Sequence, residues 1–75
     1  MISYARALRY AGEVNIAGVR QFVYENLKKP ESDRIRPEQR RYLVEHLLRS
    51  YLDRYNGSVD FRTVSDLRII TSLYG

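Results

Sequence analysis

Leu43-Val44-Glu45-His46-Leu47-Leu48-Arg49-Ser50-Tyr51-Leu52-Asp53-Arg54-Tyr55 sets apolar side chains at positions 43, 44, 47, 48, 51, 52 and 55, the i, i+3, i+4 recurrence of an α-helix kept up turn after turn. Pro37 suits the first helical position, where a missing N–H goes unnoticed, and Glu38 and Gln39 follow in the first turn. Asn56-Gly57 offers a stop, with Gly57 as the residue past the cap. The spacing therefore predicts a helix from Pro37 to Asn56. Projected at about 100° per residue, its apolar side chains cover an arc of about 180°, wider than the roughly 100° stripe of a helix resting on a surface. Such a helix belongs at the centre of a bundle or in the seam of a dimer.

Upstream, Pro30-Glu31-Ser32-Asp33-Arg34-Ile35-Arg36 has no period and is bracketed by two prolines, which reads as a loop. Before it, Asn15 can cap a helix in which Ile16, Val19, Phe22, Val23 and Leu27 form an apolar stripe ending at Lys28-Lys29-Pro30. A short first helix follows from Tyr4, Leu8 and Ala11 at helical spacing behind Ser3, with Gly12 as its stop. Downstream, two readings compete. Ser58-Val59-Asp60-Phe61-Arg62 alternates like a strand and Ile69-Ile70-Thr71 is β-branched, which suits a hairpin around Ser65-Asp66. Against this, Asp60 is a good N-cap, Val59 and Val64 sit where a hydrophobic staple needs them, and Val64, Leu67, Ile70 and Tyr74 share a helical face. We expect a fourth helix from Phe61 to Tyr74. The fold class expected is all-α, a small three- to four-helix bundle, with the C-terminal β-hairpin as the alternative.

Seventy-five residues leave room for one core, so residues 1–75 should form one domain. The absence of Cys excludes disulfides and thiolate zinc sites, and a single His excludes a His-rich metal site; no cofactor is expected. No apolar run approaches the roughly 20 residues that span a bilayer, and Met1-Ile2-Ser3-Tyr4-Ala5-Arg6 lacks the charged-then-apolar order of a signal peptide. The expectation is a cytoplasmic protein with no membrane association. Thirteen basic residues oppose nine acidic ones for a net charge of +4, and eleven of the thirteen are Arg. Guanidinium pairs bidentately with phosphate and carboxylate, so the balance points to nucleic acid or to an acidic protein partner.

Catalysis needs a nucleophile beside a base. The one arrangement available is His46, Ser50 and Asp53 on the third helix, placed opposite the apolar arc and next to Glu45 and Arg49. A convex helix face offers neither cleft nor oxyanion hole, and a mid-helix Ser commonly bonds back to its own helix, so this reads as a solvated face. Glu45, His46 and Asp53 have no metal-ligand spacing. Gly12-Glu13-Val14-Asn15-Ile16-Ala17-Gly18 lacks the Lys-Ser/Thr of a phosphate loop and reads as a turn. Asn56-Gly57-Ser58 matches a glycosylation sequon but reads most simply as a helix stop.

The expected work is therefore done by surfaces, without catalytic residues. On the second helix Ala17, Arg20, Gln21, Tyr24 and Lys28 project away from the apolar stripe with no acid among them. In outline this resembles a helix-turn-helix, whose second helix presents Arg and Gln to base edges while Lys28, Lys29 and Arg6 or Arg9 meet phosphates. No single register supplies the small residue, turn glycine and β-branched residue of that motif together. The segment from Lys28 through Arg34 and Arg36 to Arg40 and Arg41 sets six basic residues against three acids. Arg20, Gln21, Tyr24, Lys28, Lys29, Arg34, Arg36, Arg40 and Arg41 are thus the candidate nucleic-acid contacts of a small regulatory protein. The competing expectation is a protein-interaction adaptor or inhibitor, with a homodimer as one form, that docks through Leu48, Tyr51, Leu52 and Tyr55.

Overall fold

A computed structural model describes residues 2–55 and 59–74. Four α-helices are found, α1 (Tyr4–Gly12), α2 (Ile16–Leu27), α3 (Pro37–Arg54) and α4 (Phe61–Ser72), with a single 3-10 turn at Glu31–Asp33 and no strand among the described residues. α3 is the central element and packs against each of the other three. The bundle is elongated, 42 × 20 × 19 Å.

Each of three helices begins where a side chain satisfies an orphan N–H. Ser3 Oγ accepts from Arg6 N at 3.2 Å, Asn15 Oδ1 from Gly18 N at 3.0 Å, and Asp60 Oδ1 from Thr63 N at 2.8 Å. α3 starts at Pro37 without such a cap; there Gln39 Oε1 accepts from Arg36 N at 2.8 Å. α1 ends differently from the expectation. Gly12 is its last helical residue, and the residue that turns the chain is Val14, in the left-handed region at φ 57°. A β-branched residue there costs about 1–2 kcal/mol. The turn is held by Asn15 N donating to Tyr10 O at 2.8 Å and by Val14 packing against the core.

The core joins Ala7 and Ala11 of α1, Val19, Phe22 and Val23 of α2, Leu43, Val44, Leu47 and Tyr51 of α3, and Ile70 and Leu73 at the end of α4. Two apolar stripes are placed slightly differently from the sequence reading. In α2, Leu27 is 43% exposed and the buried position at that end is Asn26. In α4 the inward side chains are Thr63 and Ile70, whereas Val64 and Tyr74 are exposed. Burying Thr63 is tolerable because its hydroxyl donates to Asp60 Oδ1 at 3.0 Å, so no polar group is left unpaired.

The hairpin alternative is overturned. Its strand-like alternation would require Val59 and Phe61 to share a buried face, but they are 71% and 87% exposed, while the Asp60 cap and the inward Thr63, Leu67 and Ile70 follow a helical period. For the same reason Val59 and Val64 close no buried staple. α3 ends at Arg54, with Tyr55 already extended as its cap, and so stops short of the expected Asn56; the stop assigned to Asn56-Gly57 and the sequon Asn56-Gly57-Ser58 lie outside the described residues.

Candidate nucleic-acid interface

The arginines of the loop and of the first turns of α3 line a groove of about 560 Å3, between the end of α2, the start of α3 and the end of α4. Arg34, Arg36, Arg40 and Arg41 border it, and Glu31 is the one acid in its lining. Leu27, Ile35 and Pro37 are the apolar residues of its lining. Tyr74 reaches the groove from the far end of the chain, because Arg40 Nε donates to Leu73 O at 3.0 Å and draws the end of α4 onto α3. Burial holds the Tyr74 hydroxyl above its ordinary pKa, with the charge of Glu45 adding to the rise and that of Arg41 opposing it.

The four arginines differ in what they already do. Arg34 donates from Nε to Lys29 O at 2.9 Å and from Nη2 to Leu27 O at 3.0 Å, closing the carbonyl end of α2. Arg40 does the same for α4. Arg54 reaches Gly12 O, at the end of α1, at 3.5 Å, the outer limit of a hydrogen bond. A guanidinium at a helix C-terminus satisfies orphan carbonyls and faces the negative end of the dipole. Part of the Arg bias is therefore structural. Arg36 and Arg41 are exposed on the groove.

The nine candidate contacts do not form one surface. Arg20, Gln21, Tyr24 and Lys28 are all exposed, as expected, but on a separate shallow trough of about 490 Å3 along α2. Lys29 is half-buried and borders neither hollow. The trough also contains an acid, which corrects the acid-free face: Glu25 accepts from Gln21 Nε2 at 3.2 Å, and its other oxygen is buried with no hydrogen-bond partner. Arg20 lies over the Tyr24 ring, 5.1 Å from its centroid. Arg20 and Gln21, the side chains proposed to read base edges, are thus engaged by Tyr24 and Glu25 of the same helix.

On α3, Tyr51 is buried, donates to Asp66 Oδ2 at 3.0 Å and stacks on Tyr55 with centroids 6.0 Å apart. Leu48 and Tyr55 are half-buried, and Leu52 is the exposed member of the proposed docking set. His46 is not on a fully solvated face. It is half-buried near Gly12 of α1, where a Cβ would come within 3.4 Å of Nε2, and its ring is stacked with Tyr42. Ser50 is half-buried, Asp53 is exposed, and none of the three borders the two hollows described. Among the described residues no three His, Cys, Asp or Glu side chains cluster as metal ligands, and no helix is long and apolar enough to cross a membrane.

The sequence reading named the four groove arginines but missed Tyr74, Leu27 and Ile35. No local signal marks Tyr74, which lies 33 residues beyond Arg41 and arrives only through packing of α4. No protein-family model, curated protein or solved structure matches the chain.

Proposed function

We propose that the chain binds nucleic acid, with the arginine-lined groove as the contact for the phosphate backbone. The observation that carries this reading is the convergence of Arg34, Arg36, Arg40 and Arg41 on one concavity against a single acid, Glu31. Arg36 and Arg41 supply the phosphate contacts, while Arg34 and Arg40 hold the walls in place and add their charge to the field. The helix-turn-helix mode has less support, since Arg20 and Gln21 are occupied by Tyr24 and Glu25. Docking through α3 also has less support, because Tyr51 is already buried.

Fluorescence anisotropy with short mixed-sequence oligonucleotides tests the reading. Binding at low salt should weaken steeply as salt rises, and the double variant Arg36→Gln/Arg41→Gln should lower the magnitude of the log–log salt slope by about 2 while leaving the helical signal intact. Absence of binding at low salt, or an unchanged slope in the double variant, would overturn it. Arg40→Gln behaves differently. Loss of its bond to Leu73 O should lower urea stability by about 1–2 kcal/mol.

A further inference from the structure

We infer that the groove accepts single-stranded rather than duplex nucleic acid, with one base stacked on the Tyr74 ring and the flanking phosphates on Arg36 and Arg41. This rests on the nucleic-acid reading above and specifies which form of the polymer the site takes.

Size is the first argument. A hollow of about 560 Å3 lies within the roughly 300–1,000 Å3 that encloses a molecule of drug size. That suits one nucleotide. A paired base, held inside a rigid double helix with its phosphates outermost, cannot enter such a concavity.

The chemistry of the walls is the second argument. Phosphate contacts alone need only cations, yet the lining of this groove also includes the apolar Leu27, Ile35 and Pro37 and an aromatic ring. Apolar and aromatic surface beside a basic track is what an unstacked base requires, because every base has a π-face and no particular edge has to be read. Tyr74 keeps 39% of its surface exposed, enough to offer ring area, and lines the same groove as Arg36 and Arg41.

The third argument is that α2, the helix that a helix-turn-helix mode would lay in the major groove, is not prepared to read a duplex. A helix that reads the major groove does so mainly from its N-terminal residues. In α2 the basic residues Lys28 and Lys29 follow the C-terminal end, and the mid-helix Arg20 and Gln21 are paired within the helix.

The test compares three probes on the unaltered protein at one salt concentration: a single strand, the duplex of the same sequence, and the single strand with its bases replaced by abasic sites. The single strand should bind at least about fivefold more tightly than either of the others, the lower end of the roughly 5- to 150-fold that stacking of one base supplies. Tyr74→Leu should weaken single-strand binding over the same range and leave duplex binding unchanged, and Tyr74→Phe should retain the wild-type affinity. Equal binding of the abasic and intact strands, or duplex binding as tight as single-strand binding, overturns the inference and leaves the nucleic-acid reading standing. Binding of none of the three overturns both. Should Tyr74→Leu fail to fold, the abasic comparison still decides the matter.

Discussion

Asn26 buries its amide where α2 meets the loop, and its Oδ1 accepts from Ile35 N at 3.1 Å. That bond holds Ile35 half-buried in the groove wall, so one side chain links the helix register to the shape of the site. Removing it strands the Ile35 N–H in a partly dry setting, which costs about 1–3 kcal/mol. Leu27, the apolar residue beside it, contributes far less because it is 43% exposed. Urea denaturation should therefore show Asn26→Ala less stable by about 1–3 kcal/mol and Leu27→Ser changed by less than about 1 kcal/mol. A larger loss for Leu27→Ser would reverse this ranking.

At the scale of helices, the two glycines around the first turn have opposite roles. Gly18 sits where α1 crosses close: a Cβ there would lie 2.7 Å from the Tyr10 ring and 2.8 Å from the amide of Asn15, the residue that caps α2. Gly12 has room, and no left-handed backbone requires a glycine there. Alanine is the better helix former by about 1 kcal/mol at both positions. Gly12→Ala should accordingly raise the thermal midpoint. Gly18→Ala should lower it, since displacing the Asn15 cap and the Tyr10 contact outweighs the propensity gain by about 1 kcal/mol. Thermal unfolding followed by circular dichroism separates the two, and a rise for Gly18→Ala would show that Tyr10 and Asn15 yield without loss. The same close packing explains the arginine caps. Helices this short leave a large fraction of their carbonyls without partners, and Arg34, Arg40 and Arg54 each reach across to another element's end.

Over the whole molecule, tyrosines tie the helices together. Tyr4 donates to Gln39 O at 2.9 Å, linking α1 to α3, and Tyr51 donates to Asp66, linking α3 to α4. Burial raises the pKa of Tyr4, with Tyr42 adding to it, and raises that of Tyr51, with the bond to and charge of Asp66 adding. Tyr74 is raised mainly by burial. A phenol raised in the fold is held neutral, so its stabilisation is complete below the ordinary tyrosine value and is lost as pH rises through the raised one. The urea midpoint should fall as pH is raised through that alkaline window, and fall less in Tyr51→Phe, which has no proton to lose. An identical alkaline slope in the variant would remove Tyr51 from this account.

The local sequence determined which segments become helices. Ser3, Asn15 and Asp60 act as caps, Pro37 opens α3, and the recurrence from Leu43 to Tyr51 supplies the central buried face, all through contacts within a few residues. The positions that sequence periodicity misplaced share one physical cause: periodicity reports polarity, whereas burial depends on whether a polar group finds a partner. Asn26 and Thr63 turn inward because Ile35 and Asp60 satisfy them, while Leu27, Leu52 and Val64 are left outside. The basic segment was legible as charge. Its division into capping arginines and groove-facing ones, and the delivery of Tyr74 into the groove by the Arg40–Leu73 bond, depend on residues more than thirty positions apart, and only the packed bundle decides them.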